Sequence, residues 1–153
     1  MAANDFDFLH GDWRVRHRKL KRRLAGCDDW AEFTGTVHAR PVLDGQGNID
    51  DNVLDAPDGR YTALTVRVFD PKADTWSITW VDSRRVVLDP PLVGHFADGV
   101  GTFFGEDEHE RRPVRVRFLW TPLTPDRARW EQAFSADRGA TWETNWIMEF
   151  ARA

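Results

Sequence analysis

The chain of 153 residues contains one cysteine, one tyrosine and no long apolar run. Cys27 alone cannot form an internal disulfide, and this favours a reducing, cytoplasmic setting. No window approaches the ~20 apolar residues of a membrane span. The N-terminus also lacks the basic segment followed by an apolar stretch that marks a secretory signal. We therefore predict a soluble, cytoplasmic protein without a membrane partner.

The motifs of several common chemistries are missing as well. The sequence shows no Ser/His/Asp or Cys/His set, no phosphate-binding loop and no zinc-ligand spacing. Cys27 has no neighbouring base and is interpreted as an ordinary thiol. The net charge of -4 comes from 21 basic and 25 acidic residues that are mixed along most of the chain. We predict no metal, no cofactor and no nucleic-acid partner, and no catalytic residue is identified.

Short stretches of alternating residues recur along the chain, separated by Gly, Pro and Asp, and no long helical period appears. A segment at 4–9 is expected to form a short helical turn that Asn4 or Asp5 could cap. The length fits one domain over residues 1–153. We predict an all-β fold, a single antiparallel up-and-down β-barrel of about ten strands, with a β-sandwich as the alternative. The predicted strands are 12–20, 30–40, 48–54, 61–69, 76–82, 92–96, 100–105, 114–120, 128–135 and 145–151.

Two hairpins are specified by their turns. Residues 135–142 match the Asp-box pattern, in which an aspartate accepts hydrogen bonds from turn amides and Gly139 adopts the left-handed conformation. Pro71 fixes a turn between the fourth and fifth strands. If Val68 pairs with Trp76 across it, Thr65 and Arg67 face outward. The inner face of that hairpin is then Leu64, Val66, Val68, Trp76, Ile78 and Trp80.

The other strands divide in the same way into an apolar face and a charged face. Such consistent alternation is expected of a closed barrel, which has no free edges. The predicted outer face carries Arg14, Arg16, Arg18, Arg115, Arg117, Arg129, Glu131, Asn145 and Glu149. If the last strand pairs with the first, Glu149 lies across from the basic stripe, so we favour a solvated, partly paired surface over a functional basic patch. The predicted inner residues are Trp13, Val15, His17, Val114, Val116, Phe118, Trp120, Trp130, Gln132, Phe134, Trp146, Met148 and Phe150.

The Gly11-Asp12-Trp13 motif at the head of the first strand, within 8–13, belongs to a set that covers nearly the whole chain, with further motifs at 43–48, 69–71, 76–78 and 130–146. Together these motifs resemble a bacterial lipocalin-like (calycin) domain family of unknown function. The resemblance implies an antiparallel barrel with an internal cavity and brings no established activity. In lipocalins a late basic residue packs on the Gly-x-Trp tryptophan, and Arg152 and Arg18 are the candidates here.

Similar nitrobindin-type barrels bind haem through a late histidine. The last histidine here is His109, within a charged loop predicted at 106–110, and this departure counts against haem. His17 and His95 could point inward, but a lone inward histidine is more typical of a hydrogen-bonded core residue. The acidic loop around His109 lacks a defined metal-ligand spacing. Haem binding is therefore a disfavoured alternative.

Eight tryptophans and ten phenylalanines are many for one small core, and they favour a pocket with aromatic walls. We predict that the barrel binds a small apolar or aromatic molecule by area burial and a few oriented polar groups. Ligand identity and oligomeric state stay open, and the fold also allows a homodimer. The predicted ligand-binding residues are His17, Trp80, Trp120, Trp130, Gln132, Phe134 and Trp146.

An enzyme of the isomerase or cyclase type is the alternative function, because an apolar cavity can raise the pKa of a buried carboxylate. Its candidates are Asp82 and Gln132, together with a strand carrying Asn48, Asp50 and Asn52, whose facing the sequence leaves open. Asp82 is more typical of a turn acceptor. Gln132 is more typical of a buried group that joins neighbouring strands by a hydrogen bond.

Overall fold

Ten antiparallel strands close into a barrel in the computed structural model, which describes residues 2–153. Each strand pairs with its neighbour in chain order, and the last strand pairs with the first, so the predicted up-and-down barrel is confirmed. Short 3-10 turns lie at Ala2–Asn4, Asp7–Leu9 and Leu43–Gly45. The strands are β1 Gly11–Leu20, β2 Trp30–Val42, β3 Gly47–Ala56, β4 Gly59–Asp70, β5 Thr75–Asp82, β6 Leu92–Ala97, β7 Val100–His109, β8 Arg112–Thr124, β9 Arg127–Ser135 and β10 Glu143–Arg152.

All ten predicted strands are present, and most extend further than the sequence pattern indicated. β2 was expected to end before Pro41 but continues through it to Val42. The β1–β2 ladder ends at Ala39, and Pro41 is paired only on its β3 side, with Asn48. A proline without an N–H is tolerated where one side of a strand is unpaired. The predicted acidic loop is likewise mostly strand, because β7 runs to His109.

One end of the barrel is plugged by the N-terminal segment. Phe6 and Leu9 are buried there, and Trp13 Nε1 donates to Leu9 O at 2.8 Å. The Arg152 guanidinium lies 3.9 Å from the centroid of the Trp13 ring and donates to the Phe8 and His10 carbonyls. Arg152 is therefore the basic residue that packs on the Gly-x-Trp tryptophan.

The other candidate, Arg18, stacks on Trp30 of β2, 4.9 Å from the ring centroid. The predicted cap of the N-terminal turn is not formed, because the second 3-10 turn begins after Phe6 without a side-chain cap. Asp5 instead accepts a hydrogen bond from Trp76 Nε1 at 3.3 Å. The aspartate thus ties the plug to the barrel wall rather than capping a turn.

The predicted register of the β4–β5 hairpin is wrong by one residue. Phe69, not Val68, pairs with Trp76, because four residues lie between the paired Asp70 and Thr75. Arg67 and Thr65 are therefore inside, whereas the outward Val68 is 39% exposed. Leu64 and Val66 share the outer side of β4 with Val68, and the predicted inner facing of Trp76, Ile78 and Trp80 on β5 is correct.

Elsewhere the predicted facing agrees with the burial of the strands, with one exception. Asn145 was assigned to the outer face but is fully buried. The β9–β10 ladder is irregular between Thr144 and Trp146, and a bulge of this kind re-aims a side chain. Across the seam between β1 and β10, Arg16 lies opposite Glu149, as expected.

The Asp-box turn has the predicted hydrogen bonds. Asp137 accepts from Thr141 N at 2.8 Å and from Thr141 Oγ1 at 2.5 Å, and Gly139 has a φ of 92°. These bonds from Thr141, with a further one from Ser135, lower the pKa of Asp137 to about 2. The motif is thus a turn in this protein. Within residues 2–153 no helix is long and apolar enough to cross a membrane.

Candidate functional site

A cavity of about 190 Å³ lies inside the barrel, between the plug and the opposite end. The rim of the cavity lies at the C-terminal ends of four odd-numbered strands. It includes Lys19 of β1, Asp82 of β5, His109 of β7 and Phe134 of β9. Arg67 lines the deep part of the cavity, next to Phe6 of the plug. The open end is therefore the one at which β1, β5, β7 and β9 finish, a point that the sequence pattern left undecided.

Aromatic rings form one part of the cavity wall, and charged and polar side chains form much of the rest. Trp130 packs edge-on against Trp146 with ring centroids 5.3 Å apart, and Trp80 meets Trp146 in the same way at 5.6 Å. Phe118 contacts Trp130 at 4.9 Å. Such edge-to-face pairs hold each other in one orientation, so the walls are preorganised. Six of the seven predicted ligand-binding residues line this cavity: Trp80, Trp120, Trp130, Gln132, Phe134 and Trp146.

The seventh, His17, is buried beside the cavity and is not among its lining residues. Its Nδ1 accepts a hydrogen bond from Trp146 Nε1 at 3.0 Å, and its ring stacks on Phe33 at 4.6 Å. Nε2 faces β2, only 3.2 Å from the point that a Cβ on Gly35 would occupy. His17 thus positions Trp146, and neither ring nitrogen is directed at the cavity.

The buried His17 should make stability depend on pH. Burial, followed by the charge of Lys19, lowers the pKa of His17 from 6.5 to about 3. The unfolded chain therefore binds a proton that the folded protein excludes between these pH values. We expect the free energy of unfolding to fall as the pH drops from about 6.5 towards 3, by up to about 1.4 kcal/mol per pH unit from this residue.

Urea denaturation at a series of pH values measures this effect. His17→Gln keeps an acceptor for Trp146 but does not titrate, so its stability should fall less steeply over that range. His38→Gln is the matched control, because His38 is exposed and pairs with Asp12 on the barrel surface. Equal slopes for wild type and His17→Gln would contradict the expectation.

A buried polar network lies in the deep part of the cavity, and its arginine was missed in the sequence. Arg67 on β4 donates to Asp50 Oδ2 at 2.6 Å and to Asn48 Oδ1 at 2.8 Å, and Asn52 donates to Asp50 Oδ1 at 2.6 Å. The Arg67 and Asp50 side chains are 2% and 4% exposed. The alternation of Asn48, Asp50 and Asn52 was visible in the sequence. The one-residue error in the predicted register of β4 placed Arg67 on the outer face, so it was not recognised as their partner.

Two donors in this region lack a partner. Among the described residues, no hydrogen-bond acceptor is found for Arg67 Nε or Trp120 Nε1, although both atoms are buried. The guanidinium lies between two rings, 5.2 Å from the centroid of Phe6 and 5.3 Å from that of Trp120. A buried donor left unpaired costs about 1–3 kcal/mol. Arg67 and Trp120 both line the cavity, so a guest that brings an acceptor atom within reach of these donors would remove that cost.

Asp82 and Gln132, two of the five polar residues considered for catalysis, have structural partners. Asp82 accepts from Arg84 N at 3.0 Å and from Trp80 Nε1 at 3.2 Å, so the turn-acceptor interpretation is confirmed. Burial alone would raise the pKa of Asp82, but hydrogen bonds from Arg84 and Trp80 lower it overall. Gln132 donates to Asn145 Oδ1 at 2.8 Å and joins β9 to β10, as expected. Neither group is poised as a base.

A different carboxyl group at the rim has the opposite perturbation. Burial, followed by the charge of Asp107, raises the pKa of Asp89, which lies in the β5–β6 connection and lines the cavity. No motif in the sequence pointed to this residue. Across residues 2–153, no three His, Cys, Asp or Glu side chains are grouped so as to hold a metal ion.

Comparison with known proteins identifies similar folds but gives no activity. No protein-family model matches the sequence, and the search of curated proteins gives no match. The structure is similar to that of an S-type phycobiliprotein lyase from Guillardia theta, with a TM-score of 0.63 and 12% identity over 100% of this chain and 93% of that one. The barrel thus has a calycin-like structural neighbour.

The barrel is also similar to a redesigned β-barrel, with a TM-score of 0.53 and 13% identity over 99% of this chain and 95% of that chain. At such identities the likeness concerns the fold alone. Function has to be argued from the cavity itself.

Proposed function

We propose that this calycin-like barrel binds a small aromatic molecule in its interior. The observation that carries the proposal is the cavity, whose lining combines aromatic rings with Arg67 and Trp120, two residues that each hold an unpaired N–H donor. Its volume of about 190 Å³ exceeds the ~150 Å³ that holds benzene in an engineered cavity, and is below the ~300 Å³ at which drug-sized pockets begin. A molecule of one ring or two fused rings fits this size.

The polar end of the cavity sets the orientation of the guest. Its rings pack against Trp130 and Trp146, and an oxygen acceptor receives hydrogen bonds from Arg67 Nε and Trp120 Nε1. Asp50 already offsets the charge of Arg67, so a neutral hydroxyl or carbonyl oxygen satisfies the donors without a net charge. Aromatic contact supplies the affinity, and the donors supply direction.

Isothermal titration with 2-naphthalenemethanol and with naphthalene tests this proposal. The two probes share the ring system and differ in the acceptor oxygen. We expect the alcohol to bind about 5- to 10-fold more tightly, because one net hydrogen bond contributes about 1 kcal/mol. Trp120→Phe removes one donor and keeps a ring, so it should reduce that ratio.

Trp142→Phe is the matched control, because Trp142 lies outside the cavity next to Arg117. It should leave both affinities unchanged. Binding of neither probe to the wild-type protein would overturn the proposal. An unchanged ratio in Trp120→Phe would remove Trp120 Nε1 from the site.

The alternatives have weaker support. For catalysis, Asp89 is the group with the appropriate perturbation, and turnover in a substrate screen that is lost in Asp89→Asn would favour it. For haem, His17 is engaged with Trp146, and we expect no Soret band on mixing with haemin. We also retain as proposals that the chain belongs to the bacterial lipocalin-like family, acts in the cytoplasm without nucleic-acid or membrane partners, and is able to form a homodimer.

A further inference from the structure

Lysine is rare in this chain, and one lysine faces the inside of the barrel. The lysines are Lys19, Lys21 and Lys72, against 18 arginines. Lys19 continues the inner side of β1 after His17, lines the cavity near its open end, and places Nζ 4.1 Å from the centroid of the Trp146 ring. The amine therefore lies next to the space in which a guest binds.

The surroundings of Lys19 do not pair its charge. No ion pair among residues 2–153 includes Lys19. Burial, followed by the positive charges of Arg23 and Arg84, lowers its pKa to about 7. Asp82 and Asp58 act in the opposite direction and do not cancel this effect, and Asp82 is already bonded to Arg84.

A lysine amine in this environment is a nucleophile at neutral pH, because a large fraction of it carries a free lone pair. We propose that Lys19 forms an imine with an aldehyde or ketone group at the outward end of a guest whose acceptor oxygen faces Arg67 and Trp120, an inference that rests on the proposed function. The amine nitrogen attacks the carbonyl carbon, and the oxygen takes up a proton to give a carbinolamine. Loss of the hydroxyl as water and of the remaining N–H proton gives the C=N bond, without an oxidant or reductant.

Reductive trapping identifies such an imine. The protein is incubated at pH 7 with 6-hydroxy-2-naphthaldehyde, which carries an acceptor oxygen at one end and a carbonyl at the other, and with sodium cyanoborohydride, and labelled sites are quantified by peptide mass spectrometry. Lys21 and Lys72 are internal controls, since Lys21 is more than half exposed and paired with Asp29. An unburied lysine amine titrates near 10.4, so we expect Lys19 to be labelled more than about tenfold faster than either.

Two variants and a pH series sharpen the test. Lys19→Arg keeps the charge and should abolish the fast labelling, whereas Lys21→Arg should leave it unchanged. The labelling rate at Lys19 should rise as the pH approaches about 7. It should fall again at high pH, because cyanoborohydride reduces the protonated imine. 2-Naphthalenemethanol has no carbonyl and should slow the reaction by competing for the cavity.

The outcomes separate this inference from the proposed function. If the alcohol binds but Lys19 is labelled no faster than Lys21 and Lys72, the imine is refuted and the binding function stands. If the alcohol does not bind and Lys19 is not labelled, both fail. Fast labelling that the alcohol does not slow would place the reaction outside the cavity and overturn the inference.

Discussion

Replacing Arg67 with methionine is expected to lower the free energy of unfolding by about 3–5 kcal/mol. Methionine fills much of the same space but leaves the Asp50 carboxylate without its counter-charge. Asp50 is 4% exposed at its side chain, so water cannot take over that role without a rearrangement of the barrel interior. Urea denaturation at pH 7 measures the difference.

A surface pair is the matched control for this change. Arg60 contacts Asp55 at 2.7 Å but is 68% exposed, and Arg60→Met should cost less than about 1 kcal/mol. The double variant Arg67→Met with Asp50→Leu should recover most of the loss, because replacing a whole buried pair by apolar groups is often neutral. Similar losses for the Arg67 and Arg60 variants would show that the inner pair does not stabilise the barrel.

The second large effect is expected at the plugged end. Trp13→Ala should lower the free energy of unfolding by about 3–5 kcal/mol, the usual cost of truncating a buried large aromatic side chain. Trp13 is 1% exposed, donates to Leu9 O and supports the stacked Arg152. Its removal therefore loosens the N-terminal segment and the seam between β1 and β10 together.

Trp30→Ala is the matched control, because it replaces a tryptophan on the outside of the barrel. Trp30 is half-buried on β2 beneath Arg18, so we expect a loss of about 1 kcal/mol there. Thermal and urea unfolding of the two variants give the comparison. Equal losses at the two positions would mean that Trp13 does not hold the plugged end closed.

Much of the fold was predictable because its signals are local. Alternation with a period of two marked every strand, and turn residues marked most connections. The Asp box shows this clearly, since Asp137, Gly139 and Thr141 lie within five positions and form their hydrogen bonds with one another. The inner facing of Trp130 and Trp146 was also predictable, because charged residues occupy the opposite faces of their strands.

The interior of β4 was not predictable in the same way. Both faces of this strand carry side chains that can be buried, and the more apolar face, with Leu64, Val66 and Val68, was assigned to the inside. The structure buries Arg67 instead, because Asn48 and Asp50 on β3 accept hydrogen bonds from two of its three guanidinium nitrogens. Such compensation depends on cross-strand register, which a single strand does not contain.

The sequence by itself determined a closed antiparallel barrel and the turn at the Asp box. It also determined the aromatic side chains of the cavity wall and the inner facing of Trp13 on the first strand. Only the tertiary structure decided which end is open, that His17 faces Trp146, and that Arg67 lies inside. The physical reason is that a strand pattern is set by neighbours along the chain. The cost of burying a charge is set by partners that only strand pairing brings together.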